Sequence, residues 1–187
     1  MKGVMYMTKV AVFVGSLREN STNKSLARAL EKLAPEGMKF EYIDINLPLY
    51  SEDVESANFP ESAQRVKDIV EASDGVLFAS PEYSRAVPGA LKNAIDWASR
   101  PYGKNSFAGK PVAVVGSSVT PIGTALAQTD IRRIMAFSNA KTMGQPELHV
   151  GNAMEVFDER GEVISDRWLK NFQQFINSFD AWIAENK

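Results

Sequence analysis

The sequence predicts an α/β fold with a parallel sheet covered by helices on both faces. Three observations carry that expectation. Short, β-branched apolar runs alternate with stretches of helical periodicity along most of the chain. Several of the apolar runs are continuous rather than alternating, as strands buried on both faces are. Each helix-to-strand junction is marked by Gly, Pro or a polar turn.

The first run is KVAVFV, 9–14, stopped by Gly15. From Asn23 to Ala34, Leu26, Ala27, Ala29, Leu30, Leu33 and Ala34 fall on one helical face, and Pro35 and Gly37 end it. KFEYIDI, 39–45, reads as a second strand. Residues 46–60 are polar, contain Pro48 and Pro60, and read as a loop. Glu61 to Ser73 is helical, with Ala63, Val66, Ile69 and Val70 inward. GVLFAS, 75–80, is a third strand. Pro88 opens a helix to about Arg100, followed by a loop over 101–110. PVAVVGS, 111–117, is a fourth strand, and Thr124 to Phe137 a helix. A fifth strand falls within 140–150. Residues 151–165 read as an irregular excursion or short hairpin. The last helix, about 166–185, carries Trp168, Phe172, Phe175, Phe179 and Trp182 at helical spacing, which reads as core packing.

Composition narrows the chemistry. The 187 residues suit a single domain over 1–187, with residues 1–7 expected to be disordered. A net charge of −2 argues against a dedicated nucleic-acid binder. Cysteine is absent, which excludes disulfides, thiol nucleophiles and thiolate metal sites. One histidine, His149, excludes a multi-histidine metal site and reads as a surface or edge-strand residue. The N-terminus has no long apolar region of a signal peptide, and no stretch approaches the ~18 apolar residues of a membrane span. These features imply a cytoplasmic enzyme or binding protein.

Ligands of open parallel sheets bind beyond the carboxyl ends of the strands. The loops to inspect are therefore 15–24, 80–88 and 116–124. Eight of the nine residues from Ser16 to Lys24 are polar. Ser16, Ser21, Thr22 and Asn23 supply neutral donors at a helix N-terminus, and Arg18 and Lys24 add charge. That set suits a monophosphate. Simple capping is the alternative, since Ser, Thr and Asn are ordinary cap residues. A dinucleotide-type glycine fingerprint is excluded because only Gly15 is present, and Asn23-Lys24-Ser25 lacks the glycine of an NTPase phosphate loop. In the second loop, Pro81, Tyr83, Pro88 and Gly89 make a stiff turn. The Tyr83 ring and the backbone of Glu82, Tyr83 and Ser84 suit a flat heteroaromatic ligand. The third loop, GSSVTPIG, offers small residues and hydroxyls. A mononucleotide such as FMN fits one phosphate seat and one flat slot.

GSLRENSTN, 15–23, and PEYSRAVPGALKNAIDWASR, 81–100, resemble the two signature stretches of the NAD(P)H-dependent FMN reductases. These are flavodoxin-like proteins that include quinone, chromate and azo-dye reductases. The resemblance runs through the strand–loop–helix units of residues 8–137. It implies a five-stranded parallel sheet in the order 2-1-3-4-5, between two helical layers. It implies that Ser16, Arg18, Ser21, Thr22 and Asn23 hold the FMN phosphate. Pro81, Glu82, Tyr83 and Ser84 would line the isoalloxazine, with Ser117 near its other edge. The chain departs from the family pattern at Ser84 (usually Asn), Ala86 (often Ser) and Gly123-Thr124 (often Gly-Gly).

The implied activity is ping-pong hydride transfer from NADPH or NADH, through FMN, to quinones, flavins, azo or nitro compounds or metal oxyanions. No protein side chain need act as an obligatory acid, and no metal is expected. Glu82 is better suited to contribute backbone than to act as a base. Lys92 and Asp96 read as a structural pair. Arg85 and Arg100 are candidates for the dinucleotide phosphate, although exposed arginines are common. A homodimer or homotetramer is implied, with 46–60 and 101–110 as contact surfaces. Two other readings stay open: a flavodoxin-like electron carrier without turnover of its own, and a non-flavin nucleotide or sugar-phosphate protein.

Overall fold

The structure, a computed structural model, describes residues 7–187. The disorder expected over 1–7 therefore lies outside the described residues, apart from Met7, which is 45% exposed. Strands β1 (Thr8–Val14), β2 (Met38–Ile43), β3 (Gly75–Ala79) and β4 (Pro111–Ser117) are parallel and lie in the order β2-β1-β3-β4. The fifth position is shared. β5 (Lys141–Thr142) pairs with the start of β4, and β6 (Leu148–Val150) pairs with its end. The chain leaves the sheet between them through Gln145-Pro146, because Pro146 has no N–H to give the ladder. The flavodoxin-like order 2-1-3-4-5 holds, with the last strand broken in two.

Side chains of each strand alternate between two cores. Val10, Val12 and Val14 of β1 join Leu77 of β3 and Val115 of β4 on one face. There they meet Leu26 and Leu30 of α1 (Thr22–Lys32) and Phe172, Phe175 and Phe179 of the last helix, α6 (Asp166–Asn186). Ala11, Phe13, Phe78 and Val114 point to the other face. That face is covered by α3 (Glu61–Ala72), α4 (Gly89–Ala98) and α5 (Ala125–Phe137). The aromatic stripe of α6 is core, as its spacing predicts.

Two connections are more ordered than their composition suggests. The stretch 46–60 contains a short helix, α2 (Glu52–Ala57), capped by the Ser51 hydroxyl on the Asp53 N–H. The second half of the second signature stretch holds this connection in place. Asn93 Oδ1 accepts from the Tyr50 N–H at 2.9 Å, and Asn93 Nδ2 and Trp97 Nε1 donate to the Pro48 carbonyl at 2.9 and 2.8 Å. The loop 101–110 is pinned by Lys67, which is 4% exposed. Its ammonium donates to the Lys104 carbonyl and the Ser106 hydroxyl, each at 2.7 Å. Burial lowers the Lys67 pKa, partly opposed by Glu71. The same loop buries Phe107 completely against Phe13 and Phe78, with ring centroids 5.9 Å apart in each pair.

Candidate functional site

A cavity of about 600 Å³ opens at the carboxyl ends of β1, β3 and β4. Ser16, Arg18, Ser21, Thr22, Asn23, Pro81, Glu82, Tyr83, Ser84 and Ser117 all line it. The topology explains the convergence. β3 lies between β1 and β4, so the exit loops of these three neighbouring strands open side by side at one edge of the sheet.

The first loop combines capping with an anion seat. Ser21 caps α1: its Oγ accepts the Asn23 N–H at 3.2 Å. Ser16 Oγ accepts the Arg18 N–H at 3.3 Å, and Thr22 Oγ1 accepts the Ser117 hydroxyl at 2.8 Å. Each of the three hydroxyls therefore has its acceptor role filled from within the protein. Each keeps its own hydrogen free to donate, which is the donor set a phosphate dianion requires. Among the described residues, the Arg18 side chain makes only a 3.4 Å contact with the Asn20 carbonyl of its own loop, and Lys24 has no hydrogen bond or ion pair through its ammonium. The positive end of the helix dipole adds to these cations. The seat fits a phosphate such as that of FMN.

Asn23 has a different job from its neighbours. It is 2% exposed, and its side-chain amide exchanges two hydrogen bonds with the Ser117 backbone. Asn23 Nδ2 donates to the Ser117 carbonyl and Asn23 Oδ1 accepts the Ser117 N–H, each at 2.9 Å. The physical reason lies in the sheet. β3 leaves the ladder after Ser80 donates to the Val115 carbonyl, so the next pair of β4 backbone groups has no strand on the β3 side. Asn23 stands in as that strand, locking the start of α1 to β4.

The second loop is a tight turn. Tyr83 and Ala86 exchange backbone bonds, N–H to carbonyl, at 3.2 and 3.0 Å. Ser84 and Arg85 between them have φ 51° and 64°. Positive φ at both central residues is the mark of a type I′ turn, where Asn is better tolerated than Ser. The departure at Ser84 thus places a less suited residue at a left-handed position. Tyr83 is 50% exposed and presents its ring to the cavity mouth.

Glu82 is not free for chemistry. Its Oε2 accepts the N–H groups of Leu126 and Ala127 at 3.0 and 3.2 Å, capping α5, and Arg85 lies 3.4 Å from its Oε1. This cap matters because α5 follows Thr124 in a left-handed conformation, φ 65°, from which no side-chain cap reaches the helix. At Gly123, φ 63°, a Cβ would lie 2.6 Å from the His149 carbonyl carbon, so that position is restricted to glycine. Where the family often has a second glycine, this chain places a β-branched residue at a left-handed position. Thr124 is buried, and its hydroxyl accepts from Gln128 Nε2 at 3.1 Å.

Arg100 is turned away from the cavity. Its Nε donates to Glu55 at 2.8 Å, and its guanidinium lies 5.4 Å from the Tyr50 ring centroid. Hydrogen bonding and charge from Glu55 raise the Arg100 pKa, while Arg100 and Tyr50 lower that of Glu55. Desolvation and the Glu55 hydrogen bond push Tyr50 up to about 12. The arginine is thus engaged in a local cluster on α2. Lys92 and Asp96 pair at 2.7 Å, as their spacing predicts. His149 sits half-buried on the edge segment β6, 3.3 Å from Glu147. Sequence reasoning missed one wall of the cavity: Met154, Phe157 and the turn 158–161. No spacing signal distinguishes that stretch from an ordinary polar excursion. No cluster of metal-ligating side chains occurs among the described residues, and no helix there is long and apolar enough to cross a membrane.

Comparison with known proteins agrees with this geometry. The model of the family described as NADPH-dependent FMN reductase matches residues 8–155. A 2-hydroxy-1,4-benzoquinone reductase from Burkholderia sp is 44% identical over 180 residues, covering 96% of this chain and 98% of that protein. A quinone reductase from Pseudomonas putida is 43% identical over 179 residues, covering 95% and 96%. Among solved structures, the flavoenzyme NAD(P)H:(acceptor) oxidoreductase from Paracoccus denitrificans superposes with a TM-score of 0.90. It is 42% identical, over 96% of this chain and 99% of that one. The family match over most of the chain and these relatives agree: the chain belongs to the NADPH-dependent FMN reductase family.

Proposed function

We propose that this protein is an FMN-dependent oxidoreductase that uses NAD(P)H to reduce quinones and related small oxidants, including flavins, azo or nitro compounds and metal oxyanions. The observation that carries the reading is the set of three hydroxyls, Ser16, Ser21 and Thr22, left as donors beside Arg18 at the start of α1. They would hold the FMN phosphate. Pro81 to Ser84 and Ser117 would bound the ring.

FMN, when bound, supplies a ring that accepts hydride and returns it, which is the hard part of the chemistry. The protein's own contribution is placement. The turn at Tyr83–Ala86 fixes one rim of the cavity, and the Asn23–Ser117 clamp fixes the phosphate seat relative to the sheet. NAD(P)H leaves as NAD(P)⁺ after giving up two electrons with its hydride. The quinone then takes two electrons and two protons at the same mouth to become the hydroquinone, its second proton coming from solvent. Glu82 is committed to α5, so it is not assigned as a general acid. Ping-pong kinetics follow from the shared mouth. The protein acts as one domain in the cytoplasm, as a homodimer or homotetramer.

Anaerobic mixing with NADPH tests this reading. The yellow holoprotein should bleach within the mixing experiment and recover its colour on addition of a quinone. A colourless preparation that ignores FMN, or a yellow one that does not bleach with either dinucleotide, contradicts it. Arg18→Ala should weaken FMN binding by about tenfold or more, the worth of one charge-assisted hydrogen bond.

A further inference from the structure

The segment after β6 brings a guanidinium to the cavity that the flavin reading does not use. Phe157 bridges Val163, and between them the chain turns through Asp158 to Gly161. Three contacts fix this turn. Asp158 Oδ1 accepts the N–H groups of Arg160 and Glu162 at 2.9 and 2.8 Å. The Glu162 carboxylate takes the ammonium of Lys32, in the last turn of α1, at 2.6 Å. Gly161, φ 79°, lies so close to α1 that a Cβ there would strike the Ser25 hydroxyl. The turn is thus docked along α1.

This docking brings Arg160 to the walls of the same two cavities as Arg28. Arg28 lies four residues beyond Lys24, so it sits about 6 Å further along the helix from the phosphate seat. Neither guanidinium makes a hydrogen bond or ion pair among the described residues. Both line the main cavity. Both also line a smaller cavity of about 190 Å³ that shares the wall of Ser25 and Gly161. Arg28 borders a third cavity as well, at the end of β2. Of the acids on this stretch, Asp158 is engaged with two backbone N–H groups, and Glu159, exposed, lines the main cavity without an ion pair to either arginine among the described residues.

We propose that Arg28 and Arg160 form a second anion seat, and that its occupant is the 2′-phosphate of the reduced dinucleotide, giving this chain a preference for NADPH over NADH. FMN has one phosphate, and the hydroxyls at the first turn of α1 account for it. A second seat one turn away needs a ligand with further phosphates. The ligand that must reach the same cavity is the hydride donor. A 2′-phosphate is a dianionic monoester, which two guanidiniums match in charge and in paired N–H geometry. NADH offers only a ribose hydroxyl there. The inference rests on the NAD(P)H-dependent reading above.

The test uses the FMN-loaded protein and oxidised dinucleotides, with dissociation constants read by calorimetry. NADP⁺ should bind about tenfold or more tightly than NAD⁺, the worth of one charge-assisted contact. Adenosine 2′,5′-bisphosphate should outbind 5′-AMP in the same direction. Arg160→Ala and Arg28→Ala should each bring the NADP⁺/NAD⁺ ratio towards 1 by weakening NADP⁺ alone, and Arg160→Lys should restore part of it. Equal affinities in the wild type, or variants that weaken both dinucleotides equally, overturn the proposal. Failure of the flavin to bleach with either dinucleotide contradicts the reductase reading instead, and the binding ratio is read independently of it.

Discussion

Replacing Asn23 separates two roles that the first loop combines. If Asn23 acts chiefly on a bound phosphate, Asn23→Ala leaves the flavin-free protein as stable as the wild type. The structure requires the opposite. The side chain pairs the Ser117 N–H and carbonyl at 2.9 Å each, and Ser117 is 1% exposed. Removing the amide leaves both backbone groups without partners, at about 1–3 kcal/mol each. With some hydration of the opened gap, the loss is about 2–4 kcal/mol. For a chain of this length that lowers the melting temperature by roughly 5–15 °C. Asn23→Asp is the sharper variant. A carboxylate still accepts the Ser117 N–H but has no hydrogen for the Ser117 carbonyl, and its charge faces the phosphate seat. It should destabilise the apoprotein and weaken FMN binding further than alanine does. Urea unfolding of flavin-free protein is the assay. An Asn23→Ala apoprotein within about 0.5 kcal/mol of wild type, below the cost of even one unpaired buried group, refutes the clamp.

Three further outcomes follow from the same contacts. Glu82→Ala removes the acceptor of the Leu126 and Ala127 N–H groups and should cost about 1–2 kcal/mol in urea unfolding, while the pH profile of turnover keeps its shape. Lys67→Met leaves the Lys104 carbonyl without its donor, while the Ser106 hydroxyl keeps Glu71 as its acceptor, and should cost about 1–3 kcal/mol. Lys67 also has a pH signature. Its folded pKa is depressed by burial, so between that value and the ordinary 10.5 the unfolded chain binds more protons and stability rises with pH. That slope should vanish in the Met variant, as measured by melting temperature across alkaline pH. Ser84→Asn places a residue suited to positive φ at 51° and should raise stability by about 0.5 kcal/mol; a loss would mean that the Ser84 hydroxyl has an unrecognised partner.

Much of this architecture is legible in the sequence because buried parallel strands and amphipathic helices carry strong periodicity. GVLFA and PVAVVGS leave little doubt of central strands, and the chain order of loops then places the site. What the pattern hides is who bonds to whom. Asn23 and Glu82 both read as ligand-facing polar residues, yet each spends its side chain on backbone groups, because β3 stops short of β4 and α5 begins without a cap of its own. Asn93 and Trp97 belong to the signature stretch but serve the connection 47–50, some 45 residues away in sequence. The split of the fifth strand is hidden because a two-residue and a three-residue segment are too short to announce themselves. The cavity wall at 157–161 is invisible for a related reason: its position depends on a single ion pair to Lys32 and a close approach at Gly161.

The anion seat at the start of α1 is tested most directly by comparing FMN with riboflavin on the flavin-free protein, with fluorescence quenching as the readout. The ring and ribityl chain are common to both, so the difference reports the phosphate alone. With the Ser16, Ser21 and Thr22 hydroxyls and Arg18 as donors, FMN should bind at least about 100-fold more tightly, equivalent to two charge-assisted hydrogen bonds. Equal affinity for the two would contradict the account.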